Sequence, residues 1–236
     1  HRSTTMTPTA HLTRLQLNPL STEVARDLRN VHSLHRTILT LAPDHLGDSP
    51  RQAAGILFLL EHHPRGQTLL IQSHHPLNLD ALPIGYATAT DERDLTPLLT
   101  WCQPGAPVRY RIHAQPQRCT RSENPERDEK GSLKRGRRIP LHGDDATQWW
   151  HENALAAGLT PHTDTTSSTA QPDMAGWKNN PAHDGKRIRI RSRVTRFEGT
   201  ATITDTTALR TALTTGIGRG RAFGTGLLSI APLTRV

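Results

Sequence analysis

Two histidines in the segment "HSLHR" have a spacing that suits acid–base chemistry. His32 and His35 are three residues apart, so they share one face if this segment is helical. Histidine donates or accepts a proton near neutral pH, and two histidines can divide the acid and base roles of one reaction. The chain has 14 histidines, and a histidine on a helix surface usually has no catalytic role. The pair is therefore a candidate that needs independent support.

A glycine-rich stretch near the C-terminal end, "GIGRGRAFGTGLLSIAPL", could approach a phosphate backbone. Its glycine spacing matches neither the Walker phosphate loop nor the dinucleotide-binding fingerprint, and it follows a predicted helix instead of preceding one. Glycine permits close backbone approach, and arginine side chains bind phosphates. We interpret Gly218, Arg219, Gly220 and Arg221 as candidate nucleic-acid contacts. Close packing against a neighbouring sheet is the alternative for some of these glycines.

Two further groups of basic residues could bind a polyanion. In "KRIRIRSR" the arginines alternate, which places their side chains on one face of a strand at intervals of about 6.6 Å. A solvated strand face would explain this pattern equally well. The second group lies in "KRGRRIPL", between the two halves of the chain. The candidates are Arg187, Arg189, Arg191 and Arg193 in the strand, and Lys134, Arg135, Arg137 and Arg138 in the linker.

The remaining candidate ligands predict neither a metal nor a cofactor. Cys102 and Cys119 lack the CxxC spacing of zinc sites and do not form a disulfide framework. The pairs His62–His63 and His74–His75 lie beside predicted strand ends, where adjacent side chains point to opposite faces. We expect no metal site.

The overall charge favours a polyanionic partner. The chain of 236 residues has 29 Lys and Arg against 21 Asp and Glu, a net charge of +8, which attracts nucleic acid, acidic lipid or acidic protein. The longest aliphatic run is "ILFLL", far short of the about 20 residues that a membrane helix needs. Because no signal-peptide pattern precedes Met6, we expect a cytoplasmic protein without membrane spans.

Hydrophobic periodicity in the first half predicts the order β-α-β-β-α-β of a ferredoxin-like domain. Ser21 is the expected N-cap of a single first helix that continues past Leu41. The second helix, near "NLDALPIGYA", is the least distinct element. The predicted strands are "AHLTRLQLN", "GILFLLEHH", "TLLIQS" and, closing the first half, "VRYRIHAQP".

The second half predicts a similar arrangement after a basic linker. A helix in "DDATQWWHENALAAG" precedes a Thr-, Ser- and Pro-rich stretch that we expect to be a flexible loop. The alternating segment "KRIRIRSRVTRFEGTATIT" is predicted to turn at "EG" and to lead into a helix capped by Asp205, with Gly216 at its end. The predicted units are residues 6–117, a linker at 118–138, and residues 139–236, which include the flexible insert at about 160–185 and the glycine-rich loop at 216–226.

The chain resembles the CasE family, the CRISPR-associated endoribonucleases of the RAMP superfamily that cut repeat RNA for the type I-E Cascade complex. The glycine-rich C-terminal stretch carries this resemblance most clearly. Further landmarks occur in the right order over nearly the whole chain, and residues 160–185 match least. They are "LTRLQLNP", "LH" followed by Arg36, "LFLLE", "RIHAQP", "KRGRRIPL" and "FEGTATITD".

The resemblance implies two tandem ferredoxin-like (RRM-like) domains and a metal-independent cut in which the 2′-hydroxyl of the RNA attacks the adjacent phosphate. It places His35 at the principal catalytic histidine. We expect the positive charge near the phosphate to come from Arg36 or from an arginine elsewhere in the chain. His32 stands where relatives carry a tyrosine, and Thr40 where some carry a lysine. The implied partners are CRISPR repeat RNA and other Cascade subunits.

Two other functions remain open on the sequence. A non-cleaving RNA-binding RAMP scaffold would keep the basic surfaces without a working histidine. A 2H phosphoesterase uses two HxT motifs, which "HLT" at His11 and "HRT" at His35 match. With threonine so frequent in this chain, one or two such matches are expected by chance.

Overall fold

The computed structural model describes residues 9–43, 54–120, 138–179 and 187–233. They form two main antiparallel sheets with helices and a separate two-stranded sheet, which confirms the predicted α+β class with two tandem ferredoxin-like units. The first main sheet has the strand order β2 (Leu57–His63), β3 (Gly66–Ser73), β1 (His11–Leu17), β4 (Ala87–Asp94). The second has the order β11 (Leu228–Pro232), β5 (Pro107–Ala114), β10 (Arg187–Ile203), β8 (Leu159–Pro161), with β9 (Ser167–Asn179) also paired to β10. Each main sheet thus has the order expected of a ferredoxin-like fold, because the first and third strands of each unit are neighbours at its centre.

The first unit contains four strands and two adjacent helices. The predicted strands β2 and β3 form a hairpin through a two-residue turn. The weak second helix is reduced to a 3₁₀ turn, Leu79–Ala81. The elements are β1 (His11–Leu17), α1 (Thr22–Arg29), α2 (Val31–Leu39), β2 (Leu57–His63), β3 (Gly66–Ser73) and β4 (Ala87–Asp94).

The single long helix predicted after Ser21 is wrong, because the chain breaks at Asn30. Ser21 does cap α1, since its side chain accepts a hydrogen bond from the Val24 N–H. Asn30 then adopts an extended conformation (φ −144°) and caps α2 through its own side chain. Asparagine competes with the helix backbone in this way, which favours a cap over a helix interior.

The second unit follows a short connecting helix, α3 (Thr96–Trp101). Asp205 caps α5 as predicted, by accepting a hydrogen bond from the Ala208 N–H. The short strands β6 and β7 pair with each other at the two ends of the predicted linker. The elements are β5 (Pro107–Ala114), β6 (Gln117–Cys119), β7 (Arg138–Pro140), α4 (Gly143–Ala156), β8 (Leu159–Pro161), β9 (Ser167–Asn179), β10 (Arg187–Ile203), α5 (Thr206–Thr215) and β11 (Leu228–Pro232).

The strand "VRYRIHAQP" does not close the first sheet. It is β5, which pairs with β10 and β11 in the second sheet. The fourth strand of the first sheet is β4, a mostly exposed edge strand whose sequence "ATATDERD" has little hydrophobic alternation to reveal it. From this pairing, we propose that the boundary between the units follows β4 and does not lie at residue 117.

The loop predicted at about 160–185 is also wrong over residues 167–179, and its residues 180–185 lie outside the described part of the chain. Residues 167–179 form β9, which pairs with β10 along a ribbon whose register shifts at Pro172 and Asp173. Proline lacks an N–H for the ladder, so it is tolerated at such an irregularity. The predicted turn at Glu198–Gly199 lies inside β10, which continues to Ile203. The ribbon was missed because its Thr- and Ser-rich strand is largely exposed.

Each unit has its own core, and a third cluster joins them. Trp150 is fully buried and stacks against Phe197 at a centroid distance of 5.7 Å. Leu57 and Leu59 of the first sheet pack with Leu227, which precedes β11. This contact fixes the end of the glycine-rich loop against the first unit.

Polar contacts reinforce the junction between the units. Glu61 of β2 forms a salt bridge with Arg111 of β5, and the Gln72 side chain donates a hydrogen bond to the Leu213 carbonyl at the end of α5. A salt bridge and a buried hydrogen bond therefore join the two units, in addition to the apolar contacts.

Candidate active site

Asn30 positions the start of α2 against the second unit. Its Oδ1 accepts hydrogen bonds from the backbone N–H of His32 at 3.2 Å and of Trp177 at 3.1 Å. Gly176 allows this approach, because a Cβ there would lie 2.6 Å from Asn30 Oδ1. The first turn of α2, which carries His32, is thereby held beside β9.

His35 lies half-buried on α2 and contacts two phenylalanines from different units. Its ring centroid is 6.4 Å from that of Phe58 on β2 and 6.2 Å from that of Phe223, with its Nε2 enclosed by protein. Phe223 ends a 3₁₀ turn, Arg221–Phe223, inside the glycine-rich loop. The fold therefore brings the histidine and the loop, the two strongest sequence candidates, into one site.

The glycine-rich loop closes on itself and on β5. The Ile217 N–H donates to the Gly226 carbonyl at 2.9 Å, and the Gly226 N–H donates to the His113 carbonyl at 2.7 Å. Gly226 has φ +88°, and a Cβ there would lie 2.6 Å from the Ile217 carbonyl oxygen. Gly226 thus permits close packing, which was the alternative interpretation for some of these glycines.

The two arginines of the loop differ in environment. Arg221 donates from Nε to the Gly218 carbonyl at 3.0 Å and from Nη1 to the Thr215 carbonyl at 2.8 Å. Its guanidinium therefore holds the loop together, and this use competes with the phosphate contact expected of it. Arg219 is exposed, and its backbone carbonyl accepts a hydrogen bond from Thr225 Oγ1 at 2.8 Å. Of the two, Arg219 is the better placed to meet a ligand.

A cleft of about 360 Å³ lies beside α2. Arg36 is exposed and adjacent to His35 in the chain, about 100° further around the helix. The hydroxyl of Thr40 donates to the Thr37 carbonyl at 2.7 Å. The residues that line this cleft include Arg26, Ser33, Arg36, Thr37, Thr40 and Pro83.

The β9–β10 ribbon carries the predicted arginines at alternate positions of β10. Arg189 is exposed and its guanidinium lies 5.8 Å from the ring centroid of Trp177, a distance typical of a cation–π contact. Arg193 donates from Nη1 to His142 Nε2 at 2.9 Å. Arg187 and Arg191 also lie on β10. This places part of the basic ribbon near the start of α2.

The linker candidates fall mostly outside the described residues. Arg138 begins β7 and is exposed, whereas Lys134, Arg135 and Arg137 lie in the part of the chain that is not described. Among the described residues, no group of three or more His, Cys, Asp or Glu side chains could hold a metal ion. None of the described helices has the length and apolar character to cross a membrane.

Several site residues were missed from the sequence. Asn30 carried a usable signal, because asparagine is among the preferred N-caps. Phe223 was a single aromatic residue within a glycine-rich stretch, and Trp177 lay in the stretch predicted to be a loop. No spacing rule indicated that Phe223 would contact His35, since the two residues belong to different units.

Comparison with known proteins gives an independent reading of the chain. Residues 10–232 match the family described as CRISPR associated protein. The CRISPR system Cascade subunit CasE of Escherichia coli (strain K12) is 29% identical over 207 residues, covering 87% of this chain and 94% of that protein. The CRISPR-associated endoribonuclease Cse3 of Thermus thermophilus is 27% identical over 232 residues, covering 94% of this chain and 99% of that protein.

Solved structures show the same fold. CRISPR endoribonuclease Cse3 bound to a 19 nt RNA superposes with a TM-score of 0.72 at 23% identity, covering 94% of this chain and 100% of that one. A chain of a CRISPR RNA-guided surveillance complex is 33% identical, with a TM-score of 0.65 and coverage of 94% and 100%. Because the family match spans nearly all of the residues that form the two units, this chain belongs to the CRISPR-associated protein family of CasE and Cse3.

Proposed function

We propose that this chain is an endoribonuclease that cuts the repeat hairpins of precursor CRISPR RNA and keeps the mature guide RNA as a subunit of Cascade. The names of its relatives support this function: CasE is a Cascade subunit, and Cse3 is an endoribonuclease with RNA-bound structures. A cytoplasmic location and other Cascade subunits as partners are parts of the same proposal.

The observation that carries the proposal is the contact between His35 and the glycine-rich loop. Phe223 of the loop and Phe58 of β2 both pack against the His35 ring. This contact limits the orientations of the imidazole and shields it from water, as a group that must transfer a proton to or from a defined atom requires. An incidental surface histidine would not need support from both units.

The proposed reaction uses the RNA as its own nucleophile. A base removes the proton from a 2′-hydroxyl, O2′ forms a bond to the adjacent phosphorus, and the P–O5′ bond breaks as an acid protonates O5′. The products are a 2′,3′-cyclic phosphate and a 5′-hydroxyl. We assign the acid and base roles jointly to His35 and His32, and the positive charge near the phosphate to Arg36. No metal is a participant in this scheme.

RNA binding is assigned to the basic surfaces around α2. Arg189, Arg193 and Arg219 are exposed. Arg189 lies over the exposed ring of Trp177, whose backbone bonds to Asn30 at the start of α2. A-form RNA hides its base edges in a deep groove, so a hairpin should be recognised mainly through phosphates and 2′-hydroxyls. We include Gly218 and Gly220 of the loop, Arg138, and the arginines and lysine predicted in the strand and linker (Arg187, Arg191, Lys134, Arg135, Arg137).

The 2H phosphoesterase alternative is disfavoured by its threonines. Thr13 of the first HxT motif is buried in β1, and the Thr37 hydroxyl of the second donates to the buried Asp27 carboxylate at 2.6 Å. Neither threonine is available to a cyclic phosphate. The cleavage assay described below distinguishes a non-cleaving scaffold from a nuclease.

The test is a single-turnover cleavage assay of a CRISPR repeat hairpin in EDTA, beside the same RNA with a 2′-deoxy at the mapped cut. We expect one cut in the native RNA and none in the deoxy RNA. His35→Ala should slow the cut by at least about a hundredfold, whereas His63→Ala, at an exposed histidine in the β2–β3 hairpin, should not. Tight binding without cleavage would identify a scaffold, and a wild-type rate for His35→Ala would refute the catalytic assignment.

A further inference from the structure

We propose that the cleft between Arg26 and Arg36 binds a backbone phosphate of the RNA next to the cleavage site, and that Arg26 is an RNA-positioning residue. The inference rests on the proposed nuclease function and adds a residue that neither the motif spacing nor the histidine pair indicates. It concerns the RNA backbone beside the scissile bond and not the recognition of the hairpin stem.

A buried carboxylate orients Arg26. The Asp27 side chain is fully buried, and its Oδ1 accepts a hydrogen bond from Arg26 Nε at 3.0 Å. Its Oδ2 accepts from Thr37 Oγ1 at 2.6 Å and from the Tyr86 hydroxyl at 2.9 Å. Burial and the Asp27 charge raise the pKa of Tyr86, so this hydroxyl stays protonated and continues to donate. Three donors from three parts of the first unit thus fix one carboxylate.

This arrangement prepares Arg26 to meet a second anion. Asp27 bonds to the Arg26 guanidinium through Nε, and the Arg26 side chain remains 57% exposed. A planar guanidinium held by Nε can still present its two Nη groups to a phosphate. Since the Asp27 bond already restricts the side chain, less conformational entropy is lost when the phosphate binds.

The cleft continues the surface of α2 that carries the histidines. Ser33, Arg36 and Thr40 line it at spacings of three and four residues, so they form one stripe along the helix. Arg36 lies next to His35 in the chain, and Arg26 faces the same cleft from α1. The described residues that line it supply two cations, Arg26 and Arg36, and no carboxylate. The Thr37 and Thr40 hydroxyls donate to Asp27 and to the Thr37 carbonyl, so the contacts assigned to the phosphate are those of the two arginines. This chemistry suits a phosphodiester that extends from a phosphate held at His32 and His35.

The test measures whether Arg26 contacts one particular phosphate of the RNA. Binding is measured with an uncleavable RNA, 2′-deoxy at the cut, in which single linkages flanking the cut are replaced in turn by an uncharged methylphosphonate. The variants are Arg26→Gln, which retains a donor for Asp27, and Arg93→Ala. Arg93 is a matched control, because it is exposed and pairs with an aspartate on the sheet face opposite the helices.

We expect Arg26→Gln to weaken binding about tenfold and to reduce the salt dependence by about one phosphate contact. One uncharged linkage should weaken the wild type by a similar factor and have little further effect in Arg26→Gln. Arg93→Ala should bind normally and show full sensitivity to every linkage. If the losses multiply at every linkage, or if Arg26→Gln binds like the wild type, the cleft does not hold a phosphate.

Two further measurements distinguish a missing phosphate contact from an unstable variant and from failure of the nuclease proposal. Should Arg26→Gln prove unstable in thermal unfolding, Arg26→Lys keeps the charge and is expected to retain the coupling to the same linkage in weakened form; equal losses at all linkages would then overturn the proposal. Loss of cleavage in His35→Ala without any coupling to Arg26 would leave the nuclease standing and remove the cleft. Coupling between Arg26 and one linkage, together with a normal cleavage rate in His35→Ala, would support the phosphate contact and refute the catalytic role of His35.

Discussion

At the scale of single residues, the environment of His35 is set by two aromatic side chains from different units. Phe58 belongs to the first sheet and Phe223 to the glycine-rich loop. Aromatic neighbours at such distances contribute packing energy and exclude water. The loop thus has a second role beside the RNA contact that its glycines and arginines suggest, since it completes the wall of the site.

Removal of the Phe223 ring should affect catalysis more than RNA binding. Phe223→Ala removes one of the two aromatic neighbours of His35, so the imidazole is less restricted in its orientation. We expect the single-turnover cleavage rate to fall about tenfold or more, with the RNA affinity changed much less. Phe223→Leu, which restores apolar volume, should recover most of the rate. Equal cleavage by Phe223→Ala and the wild type would show that this contact does not orient His35.

At the scale of elements, the break between α1 and α2 decides where the histidines lie. Asn30 ends one helix, caps the next and bonds to the Trp177 backbone on β9. Had the predicted single helix formed, α2 would continue the axis of α1 and lose this attachment. The cap therefore couples local helix formation to the packing of α2 against the ribbon.

The two caps of this region allow a matched comparison. Ser21→Ala and Asn30→Ala each remove an N-cap and should each cost about 1 kcal/mol of unfolding free energy, measured by urea denaturation. Only Asn30→Ala also releases α2 from β9, so only this variant should cleave more slowly, by about tenfold. Similar cleavage by both variants at equal stability would show that the Asn30–Trp177 contact does not position the site.

At the scale of the whole molecule, the two units share a polar and an apolar junction. Glu61 pairs with Arg111 across it, and Leu227 packs on Leu57 and Leu59. His113 of β5 lies near this junction, and its backbone carbonyl holds the glycine-rich loop through Gly226. The protonation of His113 therefore affects the unfolding free energy of the whole chain.

The stability of the chain should decline in acid partly because of His113. Burial, followed by the charges of Arg111, Arg196 and His62, lowers the pKa of His113 to about 4. An unfolded histidine has a pKa of about 6.5. Between these values the unfolded chain binds a proton that the folded chain does not, so the unfolding free energy falls as the pH falls from about 6.5 to 4.

His113→Gln should remove this part of the pH dependence. We expect its unfolding free energy to lose about 1–2 kcal/mol less than that of the wild type between about pH 7 and pH 4, allowing for the partial exposure of His113. Urea denaturation at several pH values measures the difference. Parallel pH profiles for the two proteins would show that His113 titrates normally in the folded state.

The sequence by itself determined the features that depend on neighbouring residues. The strands β1, β2 and β3 and the caps at Ser21 and Asp205 followed from short-range patterns. The histidine pair and the basic stretches were equally visible, because residue type and spacing along one element need no tertiary information.

Only the tertiary structure decided which elements meet. It assigned β5 to the second sheet and revealed β4 and β9, whose exposed, polar sequences give weak local signals. It also placed Phe223 against His35 and Asn30 against Trp177. Such contacts join residues far apart in the chain, and they are selected by the burial of both partners and by sheet pairing. Local periodicity encodes neither.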